Sequence, residues 1–148
     1  MPKKTLFLMI STLIGVQSFG LAVLANPIQE KPIKLAETKV ANMPIVAIVK
    51  ADWCAACKKI DSTVKGVMKS YMDKATWVIF DVTNKETTQS AKEKAKQMGL
   101  DTFFQKYSTQ TSTVAIIHPK TKKIIKIFQA EGDKTKYIQA LDQAIKSL

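Results

Sequence analysis

An apolar run, Pro44-Ile45-Val46-Ala47-Ile48-Val49, ends a few residues before Cys54 and constrains this chain more than anything else in it. A strand so continuous in apolar residues has no wet face, so other elements must cover it on both sides. Directly after it the pattern changes. Cys57, Ile60, Val64, Val67, Met68, Tyr71 and Met72 recur at i, i+3, i+4 and i+7, which predicts a helix over about 54–73 with one face packed on a sheet. A buried strand feeding an amphipathic helix points to an α/β domain.

Cys54 and Cys57 are the only cysteines among 148 residues, and they lie at the junction of that strand and helix. Strand, Cys-x-x-Cys, helix is an arrangement with redox chemistry. Unpaired N–H groups and the helix dipole favour a thiolate on the first cysteine. The second, one turn on, can attack a mixed disulfide and release its partner. Cys54 is therefore the candidate exposed nucleophile and Cys57 the candidate buried resolving thiol. Three other readings stand beside this one. A closed zinc site wants four ligands, and two Cys with the single histidine, His118, require a carboxylate or a second chain. A structural disulfide closing so short a loop removes little chain entropy. The third is a chance pair of core cysteines.

Further along, 76–82 reads as a second strand and Asn84 as the start of a turn. Thr87 or Thr88 is the candidate cap of a helix running to about Met98, ended by Gly99. A short helical piece over 102–107 carries Phe103, Phe104 and Tyr107, with core filling as the expected use of both phenylalanines. Residues 113–118 form the third strand, 119–122 a turn and 123–128 a hairpin partner. Asp133 caps a last helix with the face Tyr137, Leu141, Ala144, Ile145 and Leu148. The order β-α-β-α-β-β-α, with helical crossovers, implies parallel core strands, helices on both faces and an antiparallel C-terminal hairpin.

Ala51-Asp52-Trp53-Cys54-x-x-Cys57-Lys58 resembles the active-site segment of the thioredoxins. It is especially similar to the thioredoxin-like C-terminal domain of the bacterial transmembrane thiol:disulfide interchange protein. Asp81-Val82-Thr83-Asn84 resembles that domain as well. The likeness covers about 43–148 in element order and is specific around the cysteines. It implies a thioredoxin-like fold and thiol–disulfide exchange, with no cofactor and no bound metal. Catalysis would fall to Cys54 and Cys57, and substrate contact to Trp53, Thr111 and Ser112. Protein thiols and disulfides would be the partners, and a membrane thiol-disulfide relay the electron donor.

The chain departs from that family twice. Ile48 stands six residues before Cys54, where the family has a buried Asp that moves a proton to or from the resolving cysteine. Ser112, in Thr111-Ser112-Thr113, stands where the family has a cis-proline facing the cysteines. The cis form of a non-proline bond costs ~2.5–4 kcal/mol, so a trans bond or a re-shaped loop is expected. Where the surrounding loop accepts the cis geometry, Ser112→Pro is then expected to raise reductase activity and to lower any metal bound through the cysteines.

The formal charge is +11 and every one of the 23 basic residues is Lys. Arg is the preferred residue for bidentate phosphate and base recognition, so the lysines read as a solvated surface and not as a nucleic-acid site. Residues 1–25 have a basic start, Lys3-Lys4, an apolar stretch from Leu6 to Leu24 and small residues up to Ala25. They read as a signal peptide cleaved after Ala25; the alternative is an uncleaved membrane anchor. Residues 26–42 form a linker in which Ile33-Lys34-Leu35 is a candidate edge strand, and 43–148 the domain. Export would place the cysteines in an oxidising periplasmic or extracellular space. The reading is of a monomeric, exported reductase of protein disulfides. Its alternatives are a metal- or cluster-binding protein using Cys54 and Cys57 of two chains, and a redox-inactive interaction domain. Asp52 is a candidate helix cap with no catalytic part, and His118 a surface hairpin residue.

Overall fold

A computed structural model describes residues 42–148. The expectations for a signal peptide over 1–25, and for a linker with an edge strand at Ile33-Lys34-Leu35, fall on residues 1–41 and lie outside the described residues. In chain order the elements are β1 (Ile45–Lys50), α1 (Ala55–Ser70), β2 (Thr76–Asp81), α2 (Lys85–Gln97), α3 (Asp101–Tyr107), β3 (Thr113–Ile117), β4 (Ile124–Gln129) and α4 (Lys134–Lys146).

The four strands form one mixed sheet in the order β2-β1-β3-β4. β1 and β2 are parallel, with Val46 opposite Trp77 and Val49 opposite Phe80. β3 is antiparallel to β1 and to β4, so parallel pairing is confined to β1 and β2. The second parallel crossover implied by the element order does not form. The reason is the double helical excursion between β2 and β3. α2, with 13 residues, travels about 20 Å at 1.5 Å per residue. Gly99, at φ 66, then reverses the chain, and α3 brings it back. β3 therefore starts beside the end of β1: the Ser112 amide donates to Val49 O at 2.8 Å. A strand starting there can pair with β1 only in the opposite direction.

β1 is central and its side chains alternate between two cores. Val46 and Ile48 pack with Ile60, Val64 and Val67 of α1, with Leu141 and Ala144 of α4, and with Tyr71. Ile45, Ala47 and Val49 pack with Ala91 and Ala95 of α2, Phe103 and Phe104 of α3, and Phe80. This two-sided burial is what the unbroken apolar run demanded. Phe103 and Phe104 are core residues on the second of these faces, opposite to α1.

Several local details differ from the sequence reading. α1 closes at Tyr71 (φ −126, ψ 20), so Met72 falls beyond the last turn and is 71% exposed; it is not core filler. The cap of α2 is Asn84, whose side chain accepts from Thr87 N while Thr87 Oγ1 accepts from Asn84 N. Thr87 is thus the reciprocating third residue of a capping box and not the cap. Asp133 does cap α4, accepting from Thr135 N at 2.8 Å. His118 sits at the β3–β4 turn, where Nδ1 accepts from Lys120 N and Thr121 N.

Candidate redox site

Cys54 occupies the N-cap of α1. Its backbone is extended (φ −79, ψ 104) and its Sγ accepts a hydrogen bond from Cys57 N at 3.0 Å. Orphan amides at a helix start are usually satisfied by an oxygen side chain; here a sulfur does this. Asp52, the expected cap, is not one. It is exposed, and its carboxylate lies 3.8 Å from Lys50 Nζ. Cys54 and Cys57 form a disulfide with Cα atoms 5.2 Å apart, so the site is described in its oxidised state.

Exposure in that state runs opposite to expectation. Cys54 is buried, at 6% exposure, and Cys57 is half-buried. Capping folds the Cys54 side chain onto its own helix start. Cys57, in the first turn, lines a groove of about 420 Å³. Ile48, Ile60 and Val64 give the groove apolar walls, and Ser112 lines it from the loop before β3. Lys50, Asp52, Lys58 and Asp61 are its charged lining residues. Ile48, at the position where the resemblance implies an acid, thus lines the same groove as Cys57 but offers no proton carrier.

Trp53 is 64% exposed and is fixed from one end, its Nε1 donating to Thr83 O at 3.0 Å. The neighbouring Asp52 amide donates to Thr83 Oγ1 at 3.0 Å. Thr83 is in turn held by Asp81, whose Oδ1 accepts from Thr83 N and from Thr83 Oγ1. Lys50 Nζ lies 3.4 Å from Asp81 Oδ2. Burial pushes the Asp81 carboxyl up, but the Thr83 hydrogen bonds and the Lys50 ammonium outweigh it, and the group titrates below the usual carboxylate range. The roles of Thr83 and Lys50 were missed in the sequence. The Asp81-Val82-Thr83-Asn84 stretch stood out there, but nothing local ties it to a tryptophan 30 residues earlier.

Ser112 combines three unusual properties. Its φ is 67, a conformation costing a non-glycine residue of order 1–3 kcal/mol. It is 1% exposed. Its Oγ is the buried side-chain polar atom without a hydrogen-bond partner among the described residues. The backbone holds it in place, with N donating to Val49 O and O accepting from Ala130 N at 3.0 Å. Its peptide bonds are trans, and the loop is re-shaped by the left-handed residue. Proline does not fit that geometry, because its ring fixes φ near −65° and removes the N–H that Val49 uses. The loop therefore does not meet the condition on which a gain from Ser112→Pro depends. Thr111 is half-buried, with its carbonyl bound by Gln129 Nε2 at 2.7 Å. Ser112 lines the Cys57 groove and Thr111 is not among its lining residues. No three His, Cys, Asp or Glu side chains converge on one point among the described residues.

No family model and no curated protein matches the chain. Solved structures do. The pneumococcal exposed lipoprotein thioredoxin of Streptococcus pneumoniae strain TIGR4 superposes with a TM-score of 0.51 at 14% identity, over 72% of this chain and 88% of that one. A DsbF homologue from Corynebacterium diphtheriae gives 0.49 at 19% identity, over 74% and 75%. Fasciola hepatica thioredoxin gives 0.48 at 20%, over 75% and 88%. The pneumococcal superposition carries the assignment, and at that identity it speaks to fold. The chain is thus an α/β protein of thioredoxin-like fold, with a mixed four-stranded sheet. It carries a Cys-x-x-Cys disulfide at the N-terminus of the helix that follows the central strand.

Proposed function

We propose that this protein is an exported thiol–disulfide oxidoreductase that reduces protein disulfides through Cys54-Ala55-Ala56-Cys57. The observation that carries the reading is Cys54 Sγ on the Cys57 amide at the start of α1. A group that accepts from a helix N-terminus as a disulfide sulfur accepts more strongly as a thiolate. Helix formation thus favours the charged form of Cys54 that thiol–disulfide exchange requires.

In the reaction, the Cys54 thiolate attacks one sulfur of a substrate disulfide and the other substrate sulfur leaves as a thiolate. Cys57 then attacks Cys54 Sγ, which forms the internal disulfide and frees the second substrate thiol. Electrons enter again from a membrane thiol-disulfide relay. Trp53 gives partners an exposed aromatic surface beside the pair, and the half-buried Thr111 side chain contacts the substrate from the loop of Ser112, whose own amide and carbonyl are held by Val49 and Ala130. Reduction is favoured over oxidation by the Ala-Ala dipeptide and by the resemblance to the interchange-protein domain. Export rests on the character of residues 1–25, with cleavage after Ala25 and a monomer working in the periplasm or outside the cell. The pneumococcal structure, described as that of an exposed lipoprotein, accords with such a setting.

Trapping tests the mechanism. Cys54→Ser abolishes disulfide reduction, and Cys57→Ser accumulates mixed disulfides on Cys54. If Cys57→Ser traps no partner, and Cys54 is alkylated no faster than an unperturbed thiol, the exchange reading is wrong.

A further inference from the structure

The groove beside the disulfide is lined by a residue to which the reaction above gives no proton-handling part. Cys57 must lose its S–H proton before its sulfur can attack Cys54, since the thiolate is the nucleophile. The surroundings of Cys57 are poor in groups that can help. Ile48, Ile60 and Val64 are apolar, and the carboxylate and ammonium groups lining the groove have other engagements or face water. Asp61 is held by Lys65 at 2.7 Å, Lys50 lies between Asp81 and Asp52, and Lys58 is exposed. Ser112 differs from all of them: its Oγ is buried and without a partner among the described residues, the oxidised sulfurs included, and the residue belongs to the lining of the same groove.

A buried hydroxyl with no partner is costly to keep. The left-handed backbone at Ser112 is costly as well, and such outliers persist where the surrounding structure enforces them. Val49 O and Ala130 N enforce this one. Both features fall on one residue, and that residue lines the groove of Cys57.

We propose that Ser112 is a positioning residue for Cys57, its hydroxyl donating to the Cys57 thiolate once the disulfide has opened. This rests on the exchange reading above. In the mixed disulfide, the Cys57 S–H passes its proton to water in the groove and the Ser112 O–H stabilises the remaining negative sulfur. That sulfur attacks Cys54 Sγ. The Cys54–Cys57 bond forms, the Cys54–substrate bond breaks, and the departing substrate thiolate takes a proton from water. Hydrogen bonding to the charged form is what makes the thiolate accessible in apolar surroundings.

The test uses Cys54→Ser protein, in which Cys57 is the only thiol, and follows its alkylation by iodoacetamide across pH. Adding Ser112→Ala or Ser112→Gly is expected to lower the thiolate fraction of Cys57 about tenfold at a fixed pH below its midpoint, as loss of one hydrogen bond to a charged group implies. Glycine relaxes the left-handed strain, so a deficit shared by alanine and glycine follows the hydroxyl and not the stability of the fold. Titration of Cys57 unchanged in both variants overturns the proposal. The measurement needs no substrate. Ser112 can therefore pass while the exchange reading fails, and trapping by Cys57→Ser alongside an unmoved titration fails Ser112 alone.

Discussion

The indole Nε1 of Trp53 donates to the backbone oxygen of Thr83 at 3.0 Å, tying the segment before the cysteines to the end of β2. Thr83 Oγ1 takes the Asp52 amide at the same time. One threonine thus sets how the tryptophan is presented beside the disulfide. Thr83→Val keeps the shape and removes the hydroxyl that links Asp52 to Asp81. A loss of about 1–2 kcal/mol of stability is expected, measurable by denaturant titration. Exchange with protein disulfides falls with it, while exchange with a small disulfide changes less.

Asp81 gives this corner an acid limit. Its folded pKa lies below its usual 3.8, so the stability it contributes is complete above that value. It is lost as pH falls through the lower, folded value, where protonation weakens the hold on Thr83 and Lys50. Trp53 fluorescence should change below about pH 4 before the far-ultraviolet dichroism does. Asp81→Asn should remove that early step.

The alkaline limit belongs to two tyrosines. Burial first, then the Asp142 carboxylate at 2.7 Å, push the Tyr71 hydroxyl up to about 12. Burial and Glu131 push Tyr137 to about 12. Both values are raised from 10.0, so the stability they carry is complete below pH 10.0 and declines as pH rises through about 12. Urea midpoints across that interval should fall for the wild type. Tyr71→Phe, which cuts the bond from the end of α1 to α4, should lose about 1 kcal/mol at neutral pH and show a shallower alkaline decline.

Position 112 separates backbone from side chain. Ser112→Gly removes the left-handed strain and is expected to raise stability by about 1 kcal/mol. Ser112→Pro forces φ to a negative value and deletes the bond to Val49 O, costing about 3 kcal/mol or more. Thermal unfolding of the two variants side by side checks both signs. A stabilised Ser112→Pro would mean that the loop before β3 is not left-handed at 112.

What the sequence determined by itself was local. The β1 run, the helical spacing after Cys54, the Asp133 cap and the Gly99 stop are legible because each rests on neighbouring residues and their intrinsic geometry. So does the cysteine pair, since three residues on a helix start bring two sulfurs together in any fold. Only the tertiary structure decided the rest. The direction of β3 depends on where α2 and α3 return the chain. The open side of Cys57 depends on a groove built by β1, α1 and the 112 loop. Trp53 is held by Thr83 and Ser112 by Val49 and Ala130, pairs far apart in the sequence. Such contacts arise from the closing of the sheet around β1, and no periodicity along the chain encodes them.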